Sequence, residues 1–180
     1  MDRAARSRCT CAASALLIIL LGGCASPPAA GVPIHTFTGG CAGTALTDAE
    51  PPAWAQAGFR STGAPWPVPW AFGTENTAVA FLFSKVLVAG SGPRVDGTYN
   101  KVTWVAKDRP AGVAADYPYG TTAIAVEARP LGESQPVLTG TGLADLPQPG
   151  CWTFHLTWSA HGQLQTSNIG LEVLPVGSQP

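Results

Sequence analysis

Cys151-Trp152-Thr153-Phe154-His155-Leu156-Thr157-Trp158 alternates bulky apolar residues with small or polar ones at every second position. A strand points successive side chains to opposite faces, so Trp152, Phe154, Leu156 and Trp158 share one face and Cys151, Thr153, His155 and Thr157 the other. The first is the expected core face of a half-buried strand. Working outward, His161-Gly162 is a turn signal, and Gln163 to Leu174 beyond it is a second run of strand length. Upstream, Ala78 to Val88, Lys101 to Lys107 and Thr121 to Ala128 are β-branched or aromatic runs. Gly90-Ser91-Gly92-Pro93, Asp96-Gly97, Pro118-Tyr119-Gly120 and Pro147-Gln148-Pro149-Gly150 punctuate them. No stretch keeps a helical period with caps over ten residues, apart from a short turn expected near Ala53 to Gly58.

Strands without helices must bury their apolar faces on one another, so the chain reads as an all-β sandwich with Greek-key or immunoglobulin-like connections. The folded body is placed at residues 36–176, beginning near Thr36 to Cys41, with a short tail at 177–180. That length suits a single domain able to bury about two-thirds of its unfolded surface. From Cys24 onward there are seven Lys or Arg against ten Asp or Glu, a net charge of −3. The charges are scattered, with no basic run or basic aromatic face. A nucleic-acid backbone is recognised by clustered cations, so nucleic acid is not an expected partner.

The N-terminus carries an address. Arg3, Arg6 and Arg8 precede an apolar run from Ala12 to Leu21, about ten residues long, the size of a secretory signal and too short to span a bilayer. Leu21-Gly22-Gly23-Cys24 then resembles the lipobox of bacterial lipoproteins, whose cysteine is lipidated on sulfur and becomes the new N-terminus. The resemblance implies a signal peptide over residues 1–23 and a protein held by acyl chains at Cys24, each buried methylene contributing about 0.8 kcal/mol. The expected location is the cell membrane or outer membrane, on the exported side. Ala25, where an aspartate would resemble an inner-membrane retention signal, leans toward the outer membrane in a Gram-negative cell. An ordinary cleaved signal with an incidental Cys24 is the alternative. Residues 24–35 are rich in Pro and Ala and read as a flexible tether.

Five cysteines are divided by this address. Cys9 and Cys11 leave with the signal and Cys24 is taken by lipid, so Cys41 and Cys151 remain as a pair in an oxidising compartment. A bond between them is expected, with two free thiols as the alternative. His35, His155 and His161 lack the paired spacing of a tetrahedral zinc site, and no cofactor motif is present, so no metal or cofactor is expected.

Catalytic signatures are thin. The chain lacks G-x-S-x-G, H-E-x-x-H and P-loop patterns, and Gly140-Thr141-Gly142 reads as a turn. His155 and His161 are candidate bases without a nucleophile tied to them by motif. Asp108, Asp116 and Glu127 could supply the acidic pair of a glycosidase only if folding brought two of them together. The tryptophans divide in two. Trp104, Trp152 and Trp158 fall at core positions of strands, whereas Trp66 and Trp70 sit in the proline-ruled Ala64-Pro65-Trp66-Pro67-Val68-Pro69-Trp70. A stiff extended chain there could present aromatic faces to a sugar or proline-rich peptide, or could instead lid one end of the sandwich.

Pro147-Gln148-Pro149-Gly150-Cys151-Trp152 resembles the P-x-x-G-C-W C-terminal hairpin of a group of bacterial lipoproteins and exported proteins. Lys101-Val102-Thr103-Trp104 is similar to their K-x-x-W strand, and Cys41 with Pro51-Pro52-Ala53-Trp54 to their N-terminal cysteine and proline-rich entry. The likeness is carried chiefly by the hairpin, and the chain departs from it at Trp158-Ser159-Ala160-His161-Gly162. It implies an immunoglobulin-like sandwich with Cys41 bonded to Cys151, and brings no activity with it. The functional expectation is a lipid-anchored envelope protein serving as a non-catalytic binding or structural module for an envelope protein, a glycan or a cell-wall polymer. The alternative is a glycan-acting envelope hydrolase with an acidic pair.

Overall fold

The computed structural model describes residues 36–37, 39–56, 59, 63–90, 92–108, 124–140 and 145–178. The signal segment, Cys24, the tether, Asp116 and the first residues of the Thr121 to Ala128 run lie outside them. All described residues belong to one compact unit, Val32–Pro180.

The alternating stretch forms the spine. Strand β9 (Gly150–Ala160) and strand β10 (Gln163–Leu174) make a long antiparallel hairpin, paired from Ala160↔Gln163 to Gly150↔Val173. His161 and Gly162 both have positive φ, 52° and 75°. Such a two-residue turn twists the way the flanking strands twist, which is why it closes a hairpin tightly. Strand β7 (Ala125–Pro130) pairs with the other edge of β9, and β8 (Leu138–Gly140) with β7. The expected Thr121 to Ala128 strand thus runs on to Pro130.

The remaining strands are β1 (Thr36–Phe37), β2 (Leu46–Thr47), β3 (Trp70–Phe72), β4 (Ala78–Leu82), β5 (Leu87–Val88) and β6 (Val102–Ala106). They complete an all-β body of two five-stranded sheets, β1-β2-β3-β4-β6 and β5-β10-β9-β7-β8. Helix is confined, among the described residues, to single 3-10 turns at Ala53–Ala55 and Thr74–Asn76.

The two sheets share one core. Ala78, Ala80, Leu82 and Trp104 of the first pack with Val126, Trp152, Phe154, Leu156, Ile169 and Leu171 of the second. The Trp104 and Phe154 rings meet across the layers at 5.2 Å. Strand β4 is buried on both faces, because Val79 and Phe81 point away from this core into a second cluster with Ala55, Trp66 and Trp70. The Pro-Trp segment is therefore a cover over the outer face of the first sheet.

The expected single strand from Ala78 to Val88 is broken. Strand β4 ends at Leu82, the chain turns through Phe83 to Val86 with Lys85 at φ 63°, and β5 joins the other sheet parallel to the end of β10. Arg94, only 8% exposed, holds this switch by donating from Nη1 to the carbonyls of Ser84 (2.7 Å) and Val86 (3.0 Å). Its loop is shaped in turn by Asp96, which accepts from the Thr98 hydroxyl (2.7 Å) and amide (3.0 Å). Those bonds, with Arg94 nearby, favour the ionised carboxylate and hold Asp96 below the usual carboxyl range.

Candidate functional site

An N-terminal strap passes over β10 of the second sheet. Gly40 bridges Leu171, with Cys41 N donating to Gly170 O (3.2 Å) and Glu172 N to Gly39 O (2.6 Å). The strap then passes over Gly170, where any Cβ would strike the Cys41 carbonyl. Glycine is required there by this close approach of one backbone to another. Cys41 is joined to Cys151, with S–S 1.98 Å and Cα atoms 6.0 Å apart. The bond lies on the outward face of β9, opposite Trp152. Ala42 and Gly43, both with positive φ, turn the chain back toward β2.

Beside this strap lies a groove of about 510 Å³. That size falls within the range of ligand clefts, roughly 300 to 1,000 Å³. It is lined by the 42–45 turn, Thr47 and Phe72, and by the outward residues Arg129, Thr153 and Asn168 of β7, β9 and β10. Thr74 and Asn76 of the second 3-10 turn also line it, and the turn is fastened to β10 by Ser167 Oγ donating to Thr74 O (3.1 Å) and Asn168 N to Thr74 Oγ1 (3.0 Å). Gly73 lets this turn approach so closely, since a Cβ there would collide with Ser167 Oγ. Arg129 is the one charged residue of the lining among the described residues.

The residues singled out from sequence fall as follows. Cys41 and Cys151 are brought together and brace the groove. The aromatic platform that Trp66 and Trp70 could have formed is overturned, and they lid the outer face of the first sheet and not an end of the sandwich: each is 3% exposed and packed in the second cluster. Trp70 donates from Nε1 to Ala49 O (2.7 Å), and Trp66 meets Phe59 edge-on at 5.5 Å. The physical reason is that Val79 and Phe81 need cover on the side away from the main core. Trp104, Trp152 and Trp158 are buried, as their periodicity requires. His155 pairs through Nδ1 with Asn168 Oδ1 (2.8 Å) and stands opposite Glu127 on β7, while His161 forms the hairpin turn. Asp108 lies just past β6 of the first sheet and Glu127 on β7 of the second, so folding does not place them on a common sheet. Cys24 lies outside the described residues.

Sequence reasoning missed Arg129, Thr153, Asn168 and Phe72 as groove residues. One signal was present: Gly170 interrupts an otherwise good strand, and an internal strand glycine marks a site where another backbone or a ligand comes close. Compared with family models, curated proteins and solved structures, the chain gives no match. The groove is therefore interpreted from its own geometry.

Proposed function

We propose that this chain is a lipid-anchored protein of the bacterial cell envelope whose β-domain is a non-catalytic binding module, held on the exported side of the cell membrane or outer membrane. The observation that carries the binding role is the groove beside the disulfide-braced strap, lined by hydroxyls, carboxamides and a guanidinium on strands and the turns bonded to them. Such groups orient and recognise a polar ligand. The anchor is supported by Leu21-Gly22-Gly23-Cys24 and its resemblance to a lipobox, and an oxidising compartment agrees with a bonded Cys41 and Cys151. An immunoglobulin-like arrangement is supported by antiparallel pairing throughout the first sheet and everywhere in the second except between β5 and β10, by their shared core, and by the passage of the chain from one sheet to the other between β4 and β5. The partners that fit are an envelope protein, a glycan or a cell-wall polymer.

Two measurements test the two halves of this reading. Metabolic labelling with a clickable fatty acid should mark the wild type and leave Cys24→Ser unlabelled and unprocessed; an unlabelled wild type refutes the anchor. Thr153→Trp, which fills the groove from an outward strand position, should abolish retention of purified envelope fragments by the protein while keeping its melting temperature. Undiminished retention refutes the groove as the binding surface.

A further inference from the structure

The polar groups of the groove are biased toward donors. Thr44 Oγ1 accepts from Gly170 N (2.9 Å) and Thr47 Oγ1 from Ala49 N (3.1 Å). A hydroxyl that has accepted a backbone N–H keeps its own proton to give. Asn168 directs its oxygen to His155 Nδ1 (2.8 Å), which leaves its amino group for a ligand. Arg129 uses Nη1 on the Ser134 carbonyl (3.3 Å), an anchor that orients the guanidinium while its other N–H groups stay available. Among the described residues, no Asp or Glu belongs to the lining. A ligand matching this lining is rich in acceptors and carries negative charge, and a planar guanidinium fits a carboxylate through two parallel hydrogen bonds.

The lining also holds an aromatic ring. Phe72 is half-buried, and its ring stands edge-to-face against Trp70, with centroids 4.8 Å apart and planes at 86°. Trp70 is pinned by its bond to Ala49 O, so the Phe72 ring is held rather than free to swing. Donors, a guanidinium and an aromatic ring in one lining suit a pyranose bearing a carboxylate, whose oxygens accept hydrogen bonds and whose C–H face packs on an aromatic ring.

We propose that the groove is a subsite for a uronic-acid residue of an anionic polysaccharide, with Arg129 clamping the carboxylate and Phe72 supporting the ring. This rests on the reading of the domain as a binding module and is independent of the lipid anchor. The probe is trigalacturonate, titrated calorimetrically into the full chain in detergent. Its carboxyl-reduced neutral counterpart and inorganic phosphate are run alongside. The expected result is binding of trigalacturonate, weakened at least about tenfold by carboxyl reduction and by Arg129→Gln, partly restored by Arg129→Lys, and falling with added salt. Arg129→Gln should melt with the wild type, since the side chain lies outside both buried clusters.

Absence of binding, equal affinity for the neutral trisaccharide, or an Arg129→Gln variant that binds as well as wild type each overturns the proposal. Phosphate binding as tightly as trigalacturonate overturns it too, by revealing a simple anion site. Envelope retention that is lost in Thr153→Trp but unaccompanied by trigalacturonate binding would sink the uronate assignment and leave the binding module standing.

Discussion

Trp66 and Trp70 show how far a single residue's role depends on what lies behind it. Their proline-spaced setting in the sequence suggested an exposed ledge, yet both indoles close a cluster over Val79 and Phe81. Truncating a buried tryptophan removes transfer free energy and leaves a cavity, so Trp66→Ala or Trp70→Ala should each cost about 3 to 5 kcal/mol in urea denaturation. A cost below about 1 kcal/mol would return that tryptophan to the surface. The clue to burial was legible elsewhere: Ala78-Val79-Ala80-Phe81-Leu82 is apolar at every position, and a strand of that kind needs cover on both faces. The sequence could not say which segment provides the second cover, because packing between distant segments leaves no local period. Arg129 and Thr153 were invisible for a related reason. An outward polar residue on a strand looks solvated until a strap is known to pass beside it.

At the scale of elements, the longest strands were the most legible. Alternation over β9, strand-forming composition over β10 and turn chemistry at His161-Gly162 agree with one another and with the observed hairpin. Strands β1, β2, β3 and β8, of two or three residues, are too short to carry a period, and they were not foreseen. The crossing between β4 and β5 was hidden in AVAFLFSKVLV, where only Ser84-Lys85 interrupts the apolar run and the residue that stabilises the break, Arg94, lies beyond the next turn. The strap is different again: its partners are distant in sequence, and the disulfide closes a separation of 110 residues. In the chain-entropy account a loop of that size stabilises by up to about 4 to 5 kcal/mol. The double variant Cys41→Ser/Cys151→Ser should therefore lower the urea midpoint by a corresponding amount. It should also speed amide exchange at Cys41 and Glu172, the two strap bonds that flank the Gly40–Leu171 bridge. An unchanged midpoint and unchanged exchange would mean that backbone pairing alone holds the strap.

On the scale of the whole molecule, the buried clusters, the disulfide and the strap all fall within the unit Val32–Pro180. Among the described residues, every member of the two buried clusters lies at Leu46 or later, and the earliest segment fastened to the second sheet is the strap at Gly39–Cys41. That strap pairs with β10, the last strand, so the first and last parts of the folded unit close on each other beside the groove. Such closure makes the fold depend on contacts distant in sequence, and it makes stability a property of Val32–Pro180. A chain beginning at Val32 should accordingly form the Cys41–Cys151 bond, unfold in one cooperative transition and match the full chain's stability within about 0.5 kcal/mol. Urea denaturation followed by tryptophan fluorescence is the check, because Trp104, Trp152 and Trp158 report the shared core and Trp66 and Trp70 the outer cover. Coincident transitions from both sets would show one unit. A loss exceeding about 1 kcal/mol, or two separated transitions, would show that the leader contributes to the fold, and the division between an address that places the protein and a body that binds would then fail.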